Sequence, residues 1–104
     1  MTTKKAVLII GHTRHRFLEA KLERIFKEDK TRDVFVFIDG PRYVGDQAFE
    51  ETLNVAKRFK QLNQERHANG HMSGKMFLNV SERNLGAKHG PTSAITWAFS
   101  STND

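Results

Sequence analysis

The chain has 104 residues, 38% hydrophobic and 28% charged, which bounds it to one small packed domain and argues against disorder. Seventeen Lys and Arg against twelve Asp and Glu give a formal +5, which favours an anionic partner without choosing among a phosphate, a nucleotide, nucleic acid and a membrane surface. The absence of cysteine excludes a disulfide framework, a thiolate zinc site and a thiol nucleophile, and the early apolar run AVLII is too short for a signal-peptide core or a membrane span, so the expectation is a soluble, cytoplasmic protein.

Residues 6–10 form the first continuous apolar run and end at Gly11, the pattern of a strand covered on both faces. Leu18, Leu22 and Ile25 then recur at helical spacing with Phe26 beside them, and Glu19, Lys21, Glu23 and Arg24 fill the polar side. Val34–Ile38 (VFVFI) is a second strand, closed by Asp39-Gly40-Pro41. Phe49, Leu53, Ala56, Phe59 and Leu62 mark a second helix, acidic near its start and basic later, as the helix dipole prefers. Residues 67–75, HANGHMSGK, read as a flexible connection into a third strand, Met76–Val80. Gly90-Pro91 suits an N-cap and first helical residue, which starts a third helix at Pro91 with Ala94, Ile95, Ala98 and Phe99 as its buried stripe.

Strands alternating with helices imply right-handed crossovers and a parallel sheet, hence an α/β, Rossmann-like βαβαβα three-layer unit. Ligands of such sheets bind outside the carboxyl ends of the strands. The segments there are GHTRHR, DGPR and SERNLGAKHG, all polar and all on one edge.

In the first, His12 and Arg14 are the stronger binding candidates, whereas His15 and Arg16 also read as a solvated first helical turn. In the second, two uses of Asp39 are open: a turn residue bonding nearby backbone amides, or an acceptor for the ring N–H of a pyrimidine. In the third, glycines allow close backbone approach, a helix start favours an anion, and Arg83 and Lys88 add charge. Neither GxGxxG nor GxxxxGK[ST] is present. His67 and His71 lack a third ligand and read as loop residues rather than a metal site. Trp97 reads as core or helix packing.

The segments VLIIGHTR, VFVFIDGPR and VSERNLGAKHGPTSAITWAF, in this order and at this spacing, resemble the N-terminal half of GT-A glycosyltransferases, in particular bacterial sugar transferases related to family two. The resemblance covers most of the chain and implies a single, truncated domain, residues 1–104, that binds a nucleoside-diphosphate sugar. Gly11, His12, Thr13, Arg14 and Asp39 would then lie near the base and ribose, and Asn84, Gly86 and Lys88 beside the donor, with Gly40, Arg42 and Arg83 completing the set. Two departures qualify this. Where the family often has Lys or Arg followed by Ala, this chain has His89-Gly90-Pro91, which moves the expected helix start later. The family also continues into an Asp-x-Asp motif that holds a divalent metal, Mn or Mg, and into an acceptor half, and this sequence stops before both.

The resemblance therefore implies donor binding without transfer by this chain alone, because metal neutralisation of the departing diphosphate is the main electrostatic help such a reaction needs. It also implies an uncovered hydrophobic edge at the first strand, to be met by a missing C-terminal half or by self-association. The reading from another class is a noncatalytic phosphate-ligand or protein-interaction module on the same fold. Nucleic acid ranks low as a partner, because no basic patch is interleaved with aromatics and no helix-turn-helix or RRM signature occurs.

Overall fold

The computed structural model describes residues 6–11 and 13–102. The elements follow in the order β1 (Val7–Gly11), α1 (His15–Glu28), β2 (Val34–Ile38), α2 (Gln47–Ala68), β3 (Met76–Val80) and α3 (Gly86–Thr102). The three strands form one parallel sheet in the order β1-β2-β3, with Ile9 opposite Val36 and Val36 opposite Leu78. The architecture is α/β and compatible with a Rossmann-like βαβαβα unit.

Side chains alternate across a strand, so the two faces of the sheet meet different helices. Ile9, Val34, Val36, Ile38 and Met76 point into one core with Leu18, Leu22 and Phe26 of α1 and Phe49, Val55, Ala56 and Phe59 of α2. Phe26 and Phe59 meet edge to face at 5.3 Å between ring centres, which locks α1 to α2. The opposite face carries Phe35 and Phe37, and Trp97 of α3 packs on both, at 5.5 Å and 6.4 Å. Phe35 also stacks on Phe77 at 4.8 Å. Trp97 is thus helix-on-sheet packing, and every residue of β2 is buried because helices cover both of its faces.

The amino end of β3 is held by Asn63, a buried amide on α2. Its Nδ2 donates to the Gly74 carbonyl at 3.0 Å and its oxygen accepts from the Met76 N–H at 2.9 Å. Lys60 donates to the Met76 carbonyl at 2.6 Å, which occupies an acceptor at the start of β3. β1 has a strand neighbour on one side only among the described residues, and Ile10, Ile95 and Phe99 are exposed. No helix among the described residues is long and apolar enough to cross a membrane.

Three local expectations are corrected. Of the stripe expected to be buried in the third helix only Ala94 is fully buried, whereas Ile95 and Phe99 are exposed, since they lie towards the side of β1 that has no strand neighbour among the described residues. His67 lies in the last turn of α2 rather than in a loop; only His71 lies in the connection. The third helix begins at Gly86, so Pro91 sits inside it rather than at its first position. Pro91 has no N–H to give to the carbonyl four residues back, and helix interiors disfavour proline by about 3 kcal/mol relative to alanine. Pro91→Ala should therefore raise stability by about 1–3 kcal/mol, read as a higher urea midpoint at unchanged m. A helix that started at Pro91 would give no gain, since proline is favoured there.

Candidate functional site

The carboxyl ends of the three strands stay tied to one another as they leave the sheet. Asp39 donates its N–H to the Gly11 carbonyl at 3.0 Å, and Ser81 donates to the Ile38 carbonyl at 2.9 Å. The segments after β1, β2 and β3 therefore start side by side on one edge.

The segments after β2 and β3 are then locked together by the Asp39 side chain. This carboxylate is buried, 5% exposed, and accepts three backbone N–H groups. Oδ1 takes those of Gly40 and Leu85, both at 2.8 Å, and Oδ2 takes that of Gly86 at 3.1 Å. Leu85 and Gly86 open α3, whose first N–H groups have no partner within the helix, so Asp39 caps α3 from the neighbouring strand end. Of the two uses open for Asp39, the carboxylate makes the bonds to backbone amides. The anion favoured by the start of α3 is, at these two amides, the protein's own carboxylate.

Backbone shape makes this lock possible. A Cβ on Gly40 would lie 2.4 Å from the Arg83 carbonyl carbon, so only glycine admits the third segment. The Asn84 side-chain amide donates to the Gly40 carbonyl at 3.0 Å, a second tie between the same segments. Gly86 has φ +79°, which favours glycine at the turn into α3. Arg83 is exposed, its carbonyl accepting the Ser81 hydroxyl at 2.6 Å.

Arg42 is held elsewhere. Its guanidinium forms a two-pronged pair with Asp46, Nε to Oδ2 at 2.8 Å and Nη2 to Oδ1 at 2.9 Å. Asp46 is 1% exposed, accepts the Arg42 N–H at 3.1 Å and caps α2 through the Phe49 N–H at 3.4 Å. The guanidinium bond, helped by these two amides and opposed by burial, holds the Asp46 carboxyl well below the usual carboxylate range. The same bond raises Arg42 above its ordinary value.

Beside these segments a cleft of about 230 Å³ opens at the end of β1, bounded by Ile10, Gly11, Thr13, Arg14 and Phe17. Arg14 has no carboxylate partner among the described residues and precedes α1, whose start lacks a side-chain cap. His15, the first residue of α1, instead meets Glu51 of α2 at 3.0 Å. His12 lies outside the described residues, as does the side chain of Lys88. Of the candidate residues, Asp39, Gly40, Asn84 and Gly86 are thus brought together, Gly11 lies next to them, Thr13 and Arg14 line the cleft, and Arg42 is turned towards α2.

The carboxylates at this edge do not fit a divalent cation. Asp39 is taken by three amides and Asp46 by a guanidinium, and no group of three His, Cys, Asp or Glu side chains able to hold a metal occurs among the described residues. No reaction step is assigned to a metal at this edge.

Comparison of the chain with protein-family models, with curated proteins and with solved structures gave no match.

Asp46 is the residue at this edge that sequence reasoning passed over, having counted it only as an acidic residue near a helix start. Its signal was present: an aspartate directly before a helical stripe, three residues ahead of Phe49. Two outcomes test the geometry. Gly40→Ala should cost about 1–3 kcal/mol by driving a methyl into backbone, measured by urea unfolding. Because the Asp46 pKa is depressed in the folded state, its contribution is fully present above its unfolded value of about 3.9 and is lost as pH falls through the lower folded value. Thermal unfolding of Asp46→Asn should accordingly show a lower Tm at pH 7 and a flatter decline of Tm below about pH 4 than the parent protein.

Proposed function

We propose that the carboxyl edge of this sheet binds the nucleoside diphosphate of a nucleotide-sugar donor, as the resemblance to the N-terminal half of GT-A glycosyltransferases implies. The observation that carries the reading is the lock between Asp39-Gly40 and Asn84-Leu85-Gly86, which gathers the two segments of highest resemblance into one rigid wall. A parallel α/β sheet whose polar strand ends share one edge is where such folds take phosphorylated ligands.

The division of labour follows from which groups are already engaged. Asp39 is a positioning residue, acting through the turn it holds. Arg42 orders the start of α2. The side chains with charge to offer a diphosphate are Arg14 and Arg83, which have no carboxylate partner among the described residues, with Lys88 following in the sequence. The cleft at Ile10, Thr13 and Phe17 offers apolar walls for a base. This is a binding function; transfer requires carboxylates for a metal and an acceptor site that the described edge does not supply.

Amide NMR titration with uridine and guanosine diphosphates checks the reading. The expected result is saturable shifts confined to residues 11–14, 39–42 and 84–88, with a preference for one base. Arg14→Ala and Arg83→Ala should each weaken binding by about ten- to a hundredfold, the equivalent of one charge-assisted hydrogen bond, with an unchanged fold by circular dichroism. An equal response to both nucleotides and to tripolyphosphate would replace the donor site with the noncatalytic phosphate-binding module. No saturable shift in a folded sample would remove both.

A further inference from the structure

A larger cleft than that beside β1 lies at the other end of the sheet. It measures about 630 Å³ and opens between the carboxyl-terminal ends of α1 and α2. Its floor is apolar, formed by Phe26 and Leu62, and its rim carries Lys27, Lys30, Arg66 and His71 against one carboxylate, Glu23.

Several cations elsewhere on the surface are engaged with carboxylates of this chain, and among the described residues those on this rim are not. Arg24, Arg32, Arg42 and Arg58 each meet a carboxylate of this chain. Lys27, Lys30 and Arg66 have no such partner among the described residues, yet they converge on one concavity. Lys27 and Arg66 occupy the last turns of α1 and α2, where a cation also offsets the helix dipole. Lys30 and His71 lie beyond both helices, so the dipole does not account for them.

The backbone around the rim is fixed before any ligand arrives. The Lys30 carbonyl accepts the N–H groups of Ser73 and Gly74 at 3.0 and 2.9 Å, and the Arg66 carbonyl accepts that of His71 at 2.8 Å. Gly74 passes so close to Arg32 that a Cβ would lie 2.2 Å from its carbonyl oxygen. Asn63 reaches out of α2 to hold Gly74 and the Met72 sulfur. Segments distant in sequence are therefore tied into one wall, which lowers the ordering cost of binding.

We infer that this cleft is a second anion site, distinct from the carboxyl edge of the sheet, and that it takes a phosphate monoester joined to an apolar body. The rim supplies three lasting positive charges and an imidazole for the phosphate, while the Phe26 and Leu62 floor receives the apolar part. Inorganic phosphate alone satisfies only the rim. The site is independent of the donor reading, since it shares no residue with it.

Titration of the full chain at low salt with phenyl phosphate, and separately with inorganic phosphate, tests this by NMR. The expected result is saturation of the His71 ring signals and of the amides of residues 27–30, 66 and 71, with phenyl phosphate bound about tenfold more tightly than inorganic phosphate through burial of its ring. The double variant Lys27→Gln, Arg66→Gln, both on the surface, should keep the circular dichroism spectrum and weaken phenyl phosphate about tenfold or more. The inference is overturned by an absence of saturation at the cleft, by equal affinity for the two probes, by an unchanged affinity in the folded double variant, or by shifts confined to residues 11–14 and 83 at the opposite edge.

Discussion

One buried carboxylate sets the relation between the sheet and the helix on its second face. Asp39 ends the central strand and holds the first amides of α3, so the strand end serves as the helix cap. A carboxylate in this position would be costly without partners, and three N–H groups supply them. The arrangement needs Gly40 to bring the third segment into contact and gains a second tie from Asn84. Where α3 starts, and hence how Trp97 meets Phe35 and Phe37, depends on this bond set.

The distribution of charge follows from the same economy of partners. Two of the acidic side chains nearest the carboxyl edge, Asp39 and Asp46, are consumed in holding helix starts and Arg42. Arg14 and Arg83 at that edge, and Lys27, Lys30 and Arg66 at the far cleft, have no carboxylate partner among the described residues. Part of the formal +5 is thereby left to line two clefts, one at each end of the strands.

The strands and the first two helices were legible because their signals are local. Five apolar residues bounded by turn residues, or apolar side chains at three- and four-residue steps, need no knowledge of distant parts of the chain. The start of α3 was not legible for the opposite reason. Gly90-Pro91 is a sound local N-cap signal, but Asp39, 46 and 47 residues away along the chain from Leu85 and Gly86, caps the helix earlier. Proline then sits where propensity alone would not place it, a tertiary override of a local preference. The same limit applies to side chains at the edge: DGPR and RNLG were visible as polar strand ends, whereas the pairing of Arg42 with Asp46 and of Asp39 with amides depends on three-dimensional placement. Helix spacing would have extended α2 to His67, had the Gly-rich residues after it not suggested an earlier loop.

The long reach of Asp39 also bears on the order in which the chain assembles. The ladder between β1 and β2 encloses only α1, and α1 docks on α2 through neighbouring aromatic rings. The β2–β3 ladder encloses all of α2, and the bond from Asp39 to Leu85 extends that closure by the few residues beyond the Ile38–Val80 pair, so it follows the ladder. α3 therefore caps a strand end that the ladder has already placed, on a sheet whose other face is packed by α1 and α2. Were α3 to lift, Phe35 and Phe37, which Trp97 covers, would meet water beside Phe77, an adhesive aromatic surface that the docked helix keeps closed.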